Sequence, residues 1–447
     1  MLIDLYDTLS AAKQPLVPRE PGRVGIYVCG PTVYSRVHIG NARPFVVFAL
    51  LRRFLEHCGL AVTLVCNVTD VNDKIYAAAG DGDSMLLARE MTAHYVADTD
   101  RLGLGRPDHE PLASESMAAI IEEIETLIER GHAYEAGGDV LFQVRSDPGY
   151  GRLSRRDVDE MDQGEDVEGA ERKRDPLDFA LWKAQKPGED AAWDSPWGRG
   201  RPGWHIECSA MAESLLGVGF EIHGGGLDLA FPHHENEAAQ TRCARGGELA
   251  HIWMHNGMLQ LGGQRMGKSV GNMSPLHEVL DDYGRDAVLM YLCGAHYRQP
   301  IAFGPEQLTQ AAATVAGVRE AARRLTGGPS PPSMRPLRER FFAALADDFN
   351  TPQALAAAFD WIREANRSRQ AVGDADLRDM LGVLGLANLL DPDEAPGAPP
   401  EVVALAGERR DARAAGDYAR ADELRRQVEG HGWSIRDVGD GFELLPR

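Results

Sequence analysis

The chain is poor in the residues that would tie it to an oxidising compartment, a bilayer or a bare polyanion. Only six cysteines occur among 447 residues, none in a tight local pattern, which argues against a disulfide framework and leaves thiols free to bind metal. No stretch is long and apolar enough to cross a bilayer. Met1-Leu2-Ile3-Asp4 lacks the basic start and apolar run of a secretion signal, so the expectation is a cytoplasmic protein without a membrane partner. Basic residues are in deficit, with 47 Lys and Arg against 68 Asp and Glu and a formal net charge of −21. A general nucleic-acid binder needs clustered cations, so that class is disfavoured, although a local basic face would still admit an RNA partner. Arginines 409, 410, 413, 420, 425 and 426 form one such cluster, nearly cancelled by Glu408, Asp411, Asp417, Asp422 and Glu423. The remaining composition is that of an ordinary globular protein, 43% hydrophobic and 26% charged, with length for about three domains.

Hydrophobic patterning supplies the architecture. Val24 to Pro31 reads as a buried strand stopped by Gly-Pro, Ile39 to His57 has helical periodicity, and Ala61 to Val68 reads as a second strand. Strand, helix and strand in so short a span form a βαβ unit, which predicts an α/β fold with a Rossmann-like, doubly wound parallel sheet. The first half of that sheet domain is expected over residues 1–110. An insertion follows over 111–202, with a helix near 118–130, a strand near 140–144 and an acidic, mobile stretch from Asp157 to Asp175. The sheet domain resumes over 203–304, and a helical bundle is expected over 305–390. A linker rich in Pro, 391–400, precedes a small α+β domain at 401–447, read as a helix or two and a hairpin.

Three motifs carry chemistry. In Phe231-Pro232-His233-His234-Glu235-Asn236-Glu237, a helix starting at Pro232 places His233 and Glu237 four residues apart on one face. With Cys29 and Cys208 they are a candidate four-donor zinc set. Local sequence alone leaves open that His233 and Glu237 only cap and solvate a helix. His38-Ile39-Gly40-Asn41 enters the first helix at the carboxyl end of the first strand, where a doubly wound sheet binds nucleotides and unpaired helix N–H groups meet phosphates. Arg265-Met266-Gly267-Lys268-Ser269 is a basic, glycine-containing loop whose lysine suits charge building on transferring phosphates. Taken singly, the first of these two is equally a helix start and the second a hairpin turn.

Together they are similar to the two ATP signatures of class I aminoacyl-tRNA synthetases, usually written HIGH and KMSKS. Asn41, Arg265 and Gly267 depart from that pattern and Lys268 keeps it. The segments Tyr27 to Tyr34, Asn67 to Lys74, Arg201 to Ser209 and Ile222 to Leu229, with the PHHENE run, resemble cysteinyl-tRNA synthetases over essentially the whole chain. That resemblance implies activation of L-cysteine by ATP with Mg(2+) and transfer to tRNA(Cys), on a monomer. It implies one zinc per chain on Cys29, Cys208, His233 and Glu237, with His234 packing or supporting. It assigns ATP to Gly30, His38, Gly40, Asn41, Met266, Lys268 and Ser269, with His38 and Lys268 catalytic. Thr69, Trp204, His223 and Asp228 are expected around the amino acid, although Trp204 also reads as plain core.

A zinc bound to the substrate thiolate would separate cysteine from serine and alanine, which shape alone cannot do. Cys58, Cys66, Cys243 and Cys293 read as packing. The C-terminal domain is expected to hold the anticodon, where Trp433 and Phe442 either stack on unpaired bases or fill a small core. A ligase that passes cysteine to an amino sugar would lack that domain, and a zinc-dependent RNA binder without catalysis would not need His38, Gly40 and Lys268.

Overall fold

The computed structural model describes residues 1–161, 170–261, 264–265, 274–392, 399–438 and 441–446. Part of the acidic stretch, most of the linker and residues 266–273 of the basic loop therefore lie outside the described residues.

The chain opens on a hairpin of β1 (Asp4–Asp7) and β2 (Ala12–Pro15). β3 (Arg23–Val28) follows, then α1 (Ile39–His57) and β4 (Ala61–Cys66). After α2 (Asp73–Ala79), α3 (Ser84–Asp100) and α4 (Met117–Glu129) come four antiparallel strands in sequential order: β5 (Ala133–Ala136), β6 (Asp139–Phe142), β7 (Phe179–Ala184) and β8 (Gly200–Pro202). The parallel sheet then resumes through α5 (Trp204–Leu216), β9 (Phe220–Gly226), α6 (His233–Arg245) and β10 (Ala250–Asn256). A short sheet of β11 (Leu259–Leu261), β12 (Gln264–Arg265) and β13 (Ile301–Ala302) flanks α7 (Leu276–Cys293). Next are the helices α8 (Pro305–Ala322), α9 (Arg335–Ala346), α10 (Thr351–Arg367) and α11 (Ala375–Val383).

The central sheet runs β10-β9-β3-β4, all parallel. The chain leaves β3 through α1 to one side and returns as β9 on the other. Strand order therefore reverses between β3 and β9, and the crevice at their carboxyl ends is the expected ligand position of such a sheet. Alternation along β3 feeds two cores. Val24, Ile26 and Val28 face the core under α1, whereas Tyr27 and Cys29 face α5 and α6 with Cys208, Phe220 and Trp253. Gly224 in β9 lets α1 lie flat on the sheet, because a Cβ there would meet the Phe48 ring at 1.9 Å.

Length suggests about three domains, but the described residues separate into two compact units, Met1–Leu390 and Asp391–Arg447. The reason is a shared core: Leu50 and Phe54 of α1 and Leu289 of α7 join Phe341, Leu345, Trp361 and Leu381 in one apolar cluster. Asp348 adds a polar tie, accepting from Tyr6 N at 2.9 Å and from the Tyr297 hydroxyl at 2.7 Å.

The second unit is α12 (Pro400–Ala414), α13 (Tyr418–Gly430) and an antiparallel hairpin of β14 (Trp433–Val438) and β15 (Gly441–Pro446). Trp433 is only 8% exposed and packs with Val402 and Val428. The stacking role offered for Trp433 is thus not available: a unit this small needs the indole for its own core.

Candidate active site and metal centre

α6 has the composition of a surface helix and the position of a core one. All residues from His233 to Thr241 are buried, though most are polar or charged. Such burial is costly unless polar groups find partners; His234 Nε2, Asn236 Nδ2, Gln240 Oε1 and Thr241 Oγ1 have no hydrogen-bond partner among the described residues, and the partners the other groups find define the site. Glu235 accepts from the backbone N–H groups of Gly151 and Ser154 at 2.9 and 2.7 Å. Asn236 accepts from the Tyr150 hydroxyl, and Gln240 donates to His205 O and Ser209 Oγ.

The remaining face of α6 meets β3, α5 and β9. Donor atoms of Cys29, Cys208, His233 and Glu237 all lie within 4.8 Å of one another, and all four residues are buried. Cys29 Sγ is 3.5 Å from both His233 Nε2 and Glu237 Oε1, and the latter two are 2.9 Å apart. Each of the two α6 donors is braced from behind. His223 Nε2 is 2.6 Å from the second oxygen of Glu237, and His205 Nδ1 is 3.0 Å from His233 Nδ1. Such outer partners fix ligand orientation.

Cys29, His223, His234 and Glu237 form an overlapping group within the same distance. There His223 is already engaged with Glu237, His234 Nδ1 lies 2.8 Å from His255 Nε2, and only one thiol is offered. The set with two thiols, one imidazole and one carboxylate is the softer and suits a tetrahedral thiophilic ion.

Electrostatics favour a cation in that set. Burial pushes the Cys29 thiol well up, reinforced by Cys208 and Glu237. Burial acts upward on Cys208 too, but the hydrogen bond from Cys29 and the charge of His233 outweigh it and bring Cys208 to about 6. Burial disfavours a charged His233, yet Glu237 and Cys208 raise it to about 10. Against burial, His233 and His223 hold the Glu237 carboxyl well below its usual range. A thiolate and a carboxylate buried together are the negative donors a divalent cation balances. The cluster is compatible with a bound metal ion.

A cavity of about 340 Å³ opens at the β3/β9 switch. Its wall includes Cys29, Gly30, His38, Gly40, Asn41, Trp204 and Asp228. Gly30 is obligatory, since a Cβ would fall 1.6 Å from Asn67 O. Trp204 stacks on His233 with ring centroids 4.2 Å apart, so it borders both the metal cluster and the cavity. Thr69 and His223 do not line this cavity. Thr69 braces the loop after β3, donating its N–H to Pro31 O and accepting from Val33 N, and His223 lies behind Glu237.

One expectation needs correcting at the start of α1. Its N–H groups are not open to a ligand: Ile39 N donates to Ser274 O, Gly40 N to His38 Nδ1 at 3.1 Å, and Asn41 N to His38 O. Asn41 Oδ1 accepts from His38 N and closes a capping box. Met266, Lys268 and Ser269 lie outside the described residues.

Sequence reasoning gave no role to His205, Asn67 or Glu235. His205 and Glu235 sit inside the WHIEC and PHHENE segments, and the signal was their polarity in positions that α5 and α6 bury.

Residues 15–313 match the family described as tRNA synthetases class I (C) catalytic domain. Residues 340–389 match the DALR domain and 395–443 the cysteinyl-tRNA ligase anticodon binding domain. Relatives named cysteine–tRNA ligase include those of Halorhodospira halophila, 43% identical over 98% of both chains, and Parvibaculum lavamentivorans, 46% identical over 98% of this chain and 97% of that one. The chain belongs to the cysteine–tRNA ligases.

Solved structures share the fold of this family at low identity. Methionyl-tRNA synthetase of Mycobacterium tuberculosis, in complex with methionyl-adenylate, superposes with a TM-score of 0.60 at 14% identity, covering 89% of this chain and 96% of that one. The LeuRS–tRNA–LeuAMS complex of Agrobacterium radiobacter K84 gives 0.59 at 11% identity over 84% of each chain. Class I synthetases are thus its structural neighbours as well as its sequence relatives.

Proposed function

We propose that the chain activates L-cysteine with Mg-ATP to cysteinyl-adenylate and diphosphate. It then passes the cysteinyl group to the 2′-hydroxyl at the 3′ end of tRNA(Cys), with release of AMP. The observation that carries this reading is the buried cluster of two thiols, imidazole and carboxylate, which reaches the nucleotide cavity through Cys29. Cys29, Cys208, His233 and Glu237 hold one zinc per chain. Zinc bound there offers a position for the thiolate of cysteine that the hydroxyl of serine or the methyl of alanine fills poorly.

The chain's own groups supply positioning and charge stabilisation, and no protein nucleophile is needed. Trp204, stacked on His233, walls the amino-acid side, and Asp228 offers a carboxylate to the ammonium or the ribose. A phosphate arriving at α1 takes the place of His38 Nδ1 as acceptor for the Gly40 N–H, freeing the imidazole to donate to phosphate oxygens. Lys268, with Met266 and Ser269 beside it, meets the charge that builds as diphosphate leaves. Residues 401–447 hold the anticodon. Among the described residues no helix is long and apolar enough to cross a membrane, and all six cysteines are free.

Cysteine-dependent ATP–pyrophosphate exchange, followed by charging of tRNA(Cys) transcripts, tests the reading. Exchange without charging would favour a ligase with another acceptor, and charging with serine as readily as cysteine would remove the zinc from specificity.

A further inference from the structure

Arg43, in the first turns of α1, is 1% exposed, yet among the described residues no carboxylate pairs with it. Its guanidinium donates through one Nη to Gly257 O and through the other to His296 O at 3.1 Å, while Nε has no partner among the described residues. Burial lowers it only to about 10, so it stays charged at neutral pH. A buried ion held by neutral carbonyls alone is costly, and no step of the reaction described above touches it.

The charge stands directly behind the nucleotide cavity. Asn41, Ala42, Pro44 and Phe45, which flank Arg43 along α1, line that cavity, and so does Gly257, whose carbonyl Arg43 holds. Gly257 is itself pressed on backbone, since a Cβ there would fall 2.4 Å from the Gln299 carbonyl. The acceptor is therefore fixed, and the guanidinium with it. At the wall itself, among the described residues, cations are few. Arg36 is committed to Asp98 at 2.6 Å, Lys74 is exposed and 5.8 Å from the centroid of the Trp204 ring, and Asp228 adds a negative charge. A fixed charge away from water acts more strongly than one in solvent, and it needs no reorganisation when a counter-charge arrives.

We infer that Arg43 is a positioning residue for ATP, its unpaired charge being balanced by the polyphosphate when the nucleotide fills the cavity. This rests on the function proposed above. The test measures binding of Mg-ATP and of adenosine, at about pH 6, to the full chain and to its Arg43→Gln and Arg43→Lys variants. Arg43→Gln should weaken ATP about tenfold and leave adenosine within about twofold, because the charge acts on phosphates. Arg43→Lys cannot span both carbonyls but keeps the charge, so it should hold ATP within about threefold of the parent. In cysteine-dependent exchange the loss in Arg43→Gln should appear in KM for ATP and not in KM for cysteine. Equal weakening of ATP and adenosine, or equal loss of ATP in both variants, would make Arg43 a fastener of backbone only. Unchanged ATP binding in Arg43→Gln would remove the charge from the site. Each of these overturns the inference.

Should Arg43→Gln not fold, Arg43→Lys carries the test. A buried lysine loses its proton as pH rises from about 6 to about 9, so its ATP affinity relative to the parent should fall over that range while its adenosine affinity stays level. The groups facing it do not interfere: burial pushes the Tyr291 hydroxyl up and keeps it neutral, and burial lowers His296, whose ring lies 3.5 Å from Asp348. A level ratio for ATP overturns the inference. Exchange by the parent is read alongside. Its absence would fell the function proposed above and leave the comparison of ATP with adenosine to judge Arg43; exchange with a failed comparison fells this inference alone.

Discussion

Replacing Gly30 by alanine perturbs the site without touching a ligand. Its Cβ would sit 1.6 Å from Asn67 O, 2.8 Å from the Asn67 carbonyl carbon and 3.3 Å from Cys66 Sγ. Ordinary contact for carbon is about 3.5 Å, so the loop after β3 and the end of β4 must part by about 2 Å. The obstacle is backbone, which cannot rotate away as a side chain would, and the Gly30 N–H bond to Asn67 Oδ1 at 2.9 Å is lost with it. Overpacking of this kind costs about 3 kcal/mol, the upper end of its usual range.

Cys29 precedes Gly30 and moves with it, while metal–ligand distances tolerate only about 0.2 Å. The expected result for Gly30→Ala is a melting temperature several degrees lower, zinc well below one per chain, and cysteine-dependent exchange down about 100-fold. Gly317→Ala is the control: it lies in α8, is exposed, and a Cβ there meets nothing within 4 Å. It should be neutral or stabilising by up to about 1 kcal/mol. Zinc content and exchange within twofold of the parent in Gly30→Ala would refute the argument that this backbone approach sets the Cys29 donor.

Cys208→Ser should lower both zinc content and the preference for cysteine over serine in exchange; metal analysis and paired amino-acid kinetics check it, and undiminished zinc would exclude Cys208 as a ligand. Lys268→Ala should depress adenylate formation about 100- to 1000-fold with little change in cysteine affinity, and equal activity would remove its role. Removal of residues 401–447 should leave exchange nearly intact and weaken charging, chiefly through the apparent affinity for tRNA; unimpaired charging would place anticodon reading elsewhere.

Much of this was legible because the signal was local. The β3–α1–β4 unit follows from apolar periodicity and a Gly-Pro stop, and a helix assumed to start at Pro232 put His233 and Glu237 on one face, as α6 does. What was not legible depends on distant partners. Nothing local marks Glu235 and Asn236 as buried; Gly151, Ser154 and Tyr150 close over them from far along the chain. The closed start of α1 was missed because His38 competes for the Gly40 N–H as its own cap. The sharing of one core by sheet and helices was hidden too, since each element's apolar stripe looks the same whichever neighbour it meets.

That shared core has a consequence for how the molecule comes apart. Leu50 and Phe54 of α1 pack in the same cluster as Leu381, Leu384 and Leu386, more than 300 residues along the chain. A chain cut after residue 304 would not be a smaller enzyme: it would present to water that face of α1, the helix whose first turns line the cavity at the β3/β9 switch. Sheet and helices up to Leu390 should therefore melt together, and their slowest-exchanging amides should open in a single event. Residues 391–447, with their own small core around Val402, Val428 and Trp433, are free to unfold separately and leave the chemistry standing.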